Sequence, residues 1–189
     1  MPGEMSALQA IVQPTIGVLT NVGSAHQENF ASKEAKCKEK LRLFYESDVI
    51  VYCMDDDTIR RCVSESTLKG ELLAWSSKDD KAPMYVHIHT EGLRTEVDYT
   101  FKNHLRGQYI IPFIDSASIE NSVVAATVAL QLDVAPDVLA ERMTRLEPVA
   151  MRLEVKEGQH GCTLINDSYN SDIKSLDIAL DFMNRRPDH

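Results

Sequence analysis

Three short runs of branched apolar residues, separated by stretches of helical spacing, limit what this chain can fold into more than any other feature. Ile16–Leu19 reads IGVL, Asp48–Cys53 reads DVIVYC and Leu72–Trp75 reads LLAW. They are too short for ordinary helices and have the composition of buried strands. Between the first two lie a small polar turn, Thr20–Ser24, and a helix that starts at Ser32, whose hydroxyl can accept from the first free N–H groups. Between the second and third, Asp55, Asp56 and Asp57 can cap a helix from about Thr58 to Ser66. Strand–helix alternation implies crossover connections, and so a mostly parallel sheet with helices on its faces.

The flanking segments read differently. Met1–Val12 predicts a short helix, with Met5, Leu8, Ile11 and Val12 at helical spacing and Pro2 near its start. Nothing ahead of that helix covers its apolar face, so it is expected to sit inside a domain that begins upstream. Tyr85–Thr90, Arg94–Phe101 and Gln108–Ile111 alternate in the manner of antiparallel strands, and helices are expected over Ile119–Gln131 and Pro136–Thr144. Pro148 marks a boundary between residues 1–147 and 148–189. Beyond it Arg152–Lys156 and Cys162–Ile165 predict strands, Asn166–Asp172 a polar turn, and Ser171–Met183 an amphipathic helix. Roughly 40 residues of that kind cannot close a core of their own and are expected to open a further domain.

Charge and cysteines exclude some functions. Twenty basic against 29 acidic residues give a formal charge of −9, which argues against a general nucleic-acid surface. A local anion site remains compatible with it. Cys37, Cys53, Cys62 and Cys162 form no CxxC pair. With no apolar leader and no run near the ~18 residues that cross a bilayer, reduced thiols in a cytoplasmic protein are expected.

Ligands in open α/β sheets collect beyond the carboxyl ends of strands. His26 and Glu28 follow the first strand, and Lys33, Lys36, Lys38 and Lys40 lie on the next helix. That grouping marks a candidate site, although a solvated loop and solvated lysines would read the same. Periodicity does not choose among the four lysines. His87 and His89 would share one face of a strand and could join His26 on a metal in a small hydrolase. No third ligand stands near them in sequence, so cross-strand packing is the simpler reading.

Three stretches together resemble the Mur ligases, the ATP-dependent amide-forming enzymes of peptidoglycan synthesis. TNVGSAHQENFAS followed by KEKLRLF resembles the TNIG-x-AH-x-E pattern and the downstream lysine of the central domain. SIENSVVAATVAL resembles the HN-x-x-NALAA helix, and MRLE with INDSYNSD resembles the linker arginine and the DSYN turn that opens the last domain. The resemblance implies an α/β fold: part of a P-loop-type sheet over residues 1–147, then the β-β-α opening of a Rossmann-like domain from 148 to 189. DSYN and PGEM point to the branch that joins D-alanyl-D-alanine to a UDP-N-acetylmuramoyl-tripeptide, and HQENF and SIEN resemble its form fused to an alanine racemase.

By that resemblance the cofactors are ATP and Mg²⁺. His26 would ligate Mg²⁺, and Lys40 would take up CO₂ as a carbamate and so become an anionic oxygen ligand. Asp167 would bond the ribose, Arg152 the phosphates, and Asn121 the nucleotide. The chain also departs from the pattern. None of its eight glycines precedes a lysine, so it has no Gly-Lys-Ser/Thr phosphate loop. The acidic Mg²⁺ ligand expected before PGEM and the sugar-binding N-terminal domain are missing, and Glu120 replaces the His of HN. The expectation is an internal, inactive piece of a ligase. The alternative is a free-standing, non-catalytic α/β module that binds a nucleotide or a partner.

Overall fold

The computed structural model describes residues 2–23, 29–147, 154–168 and 173–184. In chain order the main elements are α1 (Glu4–Val12), β1 (Ile16–Leu19), α2 (Lys33–Leu41), β2 (Val49–Cys53), α3 (Asp57–Ser64), β3 (Glu71–Ser76), β4 (Met84–Glu91), β5 (Arg94–Phe101), β6 (Leu105–Ile111), α4 (Ser116–Gln131) and α5 (Pro136–Met143). The six strands form one sheet in sequence order. β1 through β4 run parallel, and β4, β5 and β6 turn back on one another as antiparallel hairpins.

The pleat explains why β2 is apolar at every position. Val49 and Val51 join Leu73, Trp75, Val86 and Val97 in a core covered by Ile119, Val123, Val124 and Leu130 of α4 and by Leu139 and Met143 of α5. Ile50 and Tyr52 face the other way, onto Cys37 and Leu41 of α2 and onto Ile59, Cys62 and Val63 of α3. Both faces of the strand are therefore covered, as in parallel sheets generally. Burying each such Leu, Ile or Val contributes about 1.5–3 kcal/mol.

The helix starts are set locally. The Ser32 hydroxyl accepts from the Ala35 N–H at 3.1 Å, Asp56 accepts from Thr58 at 2.8 Å and Ile59 at 3.0 Å, and Asp115 accepts from Ser118 at 2.8 Å. β6 starts at Leu105, three residues earlier than the sequence pattern predicts. The reason is Gly107, which reads as a strand breaker but lies opposite Tyr99. A Cβ there would fall 2.3 Å from the tyrosine hydroxyl oxygen, so only glycine lets the ring cross the strand.

β1 is the edge strand of the sheet. α1 packs against α2 and the 3-10 turn Arg42–Phe44 and buries none of its residues; Ile11 and Val12 are exposed. After residue 153, β7 (Glu154–Glu157) and β8 (Thr163–Asn166) form an antiparallel pair, and α6 (Ile173–Asn184) follows. This is the expected strand–strand–helix unit.

Candidate active-site cleft

The end of β1 opens into a cleft of about 500 Å³. Val18, Leu19 and Thr20 form one wall and Leu43 and Phe44 another, with Glu4 and Met5 of α1 at the rim. Lys36, Glu39 and Lys40 of α2 supply its charge. The size suits a small ligand or part of a larger one. Gly17 makes the wall possible, because a Cβ on it would meet the Phe44 ring at 2.5 Å.

The structure separates the four lysines that spacing leaves equivalent. Lys33 pairs with Asp56 at 2.8 Å and Lys38 with Glu65 at 2.9 Å, both outside the cleft. The Glu65 hydrogen bond and charge push the Lys38 ammonium above its ordinary range. Lys36 and Lys40, one helical turn apart, line the cleft instead. Lys36 is 5% exposed, and its ammonium donates to the Gly23 carbonyl at 2.7 Å. Lys40 is half-buried and makes no hydrogen bond or ion pair among the described residues.

Glu39 was not legible as a cleft residue. Its Oε1 accepts from the backbone N–H groups of Gly3 at 2.7 Å and Met5 at 3.2 Å, and its Oε2 pairs with Arg42 at 3.1 Å. A side chain of α2 thus caps the start of α1 and fixes one side of the cleft.

At the carboxyl ends of β2 and β3, Asp55 accepts from the Ser76 hydroxyl and from the Ser77 N–H at 2.8 Å. It ties two loops together, and of the three acids expected to cap α3 only Asp56 does so. Glu120 of α4 lies close enough to feel Asp56; burial first, and that charge second, push its carboxyl up. Its neighbour Asn121 is exposed. Asp167 is half-buried just after β8, where Asn166 donates to Glu154 at 3.2 Å. Neither Asn121 nor Asp167 lines the cleft. His26 and Arg152 lie outside the described residues.

His87 and His89 are both exposed on β4, opposite Asp98 and Glu96 of β5. Among the described residues no group of three or more His, Cys, Asp or Glu side chains could hold a metal. Lys40 and Thr20 both line the cleft, and a carbamate on Lys40 would add a hard oxygen donor there, the kind that Mg²⁺ takes.

The cleft thus lies at the end of a parallel edge strand, with Lys40 of the following helix on its lining and without a partner among the described residues. The Mur ligase middle domain model matches residues 2–129, and the chain belongs to that family. Among its relatives, UDP-N-acetylmuramoyl-tripeptide–D-alanyl-D-alanine ligase of Bacillus subtilis (strain 168) is 25% identical over 94% of this chain and 38% of its own length. The enzyme of the same name from Mycobacterium leprae (strain TN) is 26% identical over 95% of this chain and 37% of its own. The chain therefore spans well under half the length of either. Among solved structures, MurF of Thermotoga maritima in complex with ADP superposes with a TM-score of 0.79 at 21% identity, covering 99% of this chain and 43% of that one. A crystal structure of MurF from Acinetobacter baumannii gives 0.77 at 17% identity, covering 97% and 40%. These superpositions establish a shared fold.

Proposed function

We propose that this chain is the later part of the central domain, with the start of the last domain, of a ligase that joins D-alanyl-D-alanine to a UDP-N-acetylmuramoyl-tripeptide at the expense of ATP. The observation that carries the proposal is the sorting of lysines on α2. Lys33 and Lys38 are held in ion pairs, whereas Lys40, the residue singled out by KEKLRLF, lines the cleft without a partner among the described residues.

In the reaction a carboxylate oxygen of the tripeptide attacks the γ-phosphorus of ATP and ADP leaves. The amine of D-alanyl-D-alanine then attacks the acyl carbon and expels phosphate. Both steps crowd negative charge, and Mg²⁺ would offset it. Lys40 as a carbamate and His26 would hold that ion. Asp167 would bind the ribose, Arg152 the phosphates and Asn121 the nucleotide. The relative solved with ADP supports a nucleotide in this family. No helix among the described residues is long and apolar enough to cross a membrane, in keeping with a cytoplasmic enzyme.

A self-sufficient binding module is the second reading. The unburied α1 and the edge position of β1 disfavour it, because both offer surface for further protein to pack on. The test compares two polypeptides given ATP, Mg²⁺, the UDP-linked tripeptide and D-alanyl-D-alanine. The full-length ligase should release phosphate. The 189-residue chain should release none, since it has no Gly-Lys-Ser/Thr loop. Turnover by the chain alone would overturn the proposal.

A further inference from the structure

Lys36 is the most unusual group in the cleft. A buried ammonium costs solvation that an apolar side chain of similar length would not, so its retention calls for a compensating role. Its bond to the Gly23 carbonyl ties the segment leaving β1 to α2, one turn ahead of Lys40. In sequence, Gly23 lies three residues before His26.

We infer that Lys36 is a positioning residue for Lys40: it pins the segment after β1 at a fixed distance from that side chain and keeps a positive charge one turn away. The inference rests on the carbamate reading of Lys40. When the neutral Lys40 amine attacks CO₂, a nitrogen–carbon bond forms, one proton passes to solvent and the product carries a negative charge. Without a fixed cation, that charge would form in a half-buried cleft beside Glu4 and Glu39. Lys36 supplies the cation and holds the neighbouring backbone in place. Family resemblance singles out Lys40 alone, and the role of Lys36 emerges only from its burial and its bond to Gly23.

The test uses the full-length ligase carrying Lys36→Met, Lys36→Gln or Lys36→Arg. Carbamate is read by ¹³C NMR in ¹³C-bicarbonate, Mg²⁺ affinity by titration and folding by melting temperature. Lys36→Met should melt no lower than the parent, yet lose most of the carbamate signal and bind Mg²⁺ about tenfold more weakly, the scale for residues that support a metal ligand. Lys36→Gln, which keeps a polar donor but has no charge, carries the test if the Met variant does not fold, and should show the same losses in smaller measure. Lys36→Arg should recover most of both. Parental carbamate signal and Mg²⁺ affinity in the Met or Gln variant would overturn the inference while leaving the Lys40 reading intact. No carbamate signal in the parent would overturn both.

Discussion

Replacing Glu39 by alanine should release α1 while leaving the sheet intact. α1 buries none of its residues, so packing contributes little to its position. Its attachment comes mainly from Glu39 Oε1, which accepts from Gly3 at 2.7 Å and Met5 at 3.2 Å. Loss of a helix cap costs typically about 1 kcal/mol and up to about 2. The Arg42 pair joins two residues on the α2 side and does not hold α1. The cap alone gives about 1–2 kcal/mol, or roughly a five- to thirtyfold shift toward the undocked helix. Hydrogen exchange of the 189-residue chain reads this directly. Amides of α1 should lose about five- to thirtyfold protection in Glu39→Ala, while those of β2 and β3, which lie in the two cores, change little. Unchanged α1 protection would refute the argument, and equal loss across the sheet would show that Glu39 supports the whole domain instead.

Three further outcomes follow from particular contacts. Gly17→Ala should destabilise by about 1–3 kcal/mol in urea, because its Cβ would sit 2.5 Å from Phe44 Cγ and 2.8 Å from its Cβ, the end of the side chain least able to give way. Iodoacetamide at neutral pH should modify exposed Cys162 first and leave Cys37 and Cys62 untouched until unfolding, since burial, then the neighbouring Cys62 thiol, push Cys37 up to about 12. Partial burial alone would raise the Asp56 carboxyl, but the bonds from Lys33, Ile59 and Thr58 together hold it below its ordinary 3.8. Its stabilising contribution is therefore complete above about pH 4 and lost as the pH falls through the depressed value. Asp56→Asn should flatten the decline in melting temperature on the acid side, and an unchanged slope would count against that bond set.

Much of the fold was legible because its signals are local. β1 falls on Ile16–Leu19 as expected, and the Ser32 and Asp56 caps start the helices that their side chains announce. The start of β6 was hidden because Gly107 is required by Tyr99, a cross-strand partner eight residues earlier. The cleft was only half visible. The strand-end position and the lysine helix could be read, but which lysines point inward depends on Asp56 and Glu65, at either end of the distant α3. Glu39 reaches a helix more than 30 residues away, a pairing no short-range pattern encodes.

Ligation by the full-length polypeptide, with and without Lys40, tests the central claim most directly. With ATP, Mg²⁺ and the UDP-linked tripeptide, D-alanyl-D-alanine should be incorporated into an amide detectable by mass. Lys40→Ala should lower kcat by at least about a hundredfold, the scale of removing a group that stabilises transition-state charge. Ligation at the parental rate by Lys40→Ala would contradict the account.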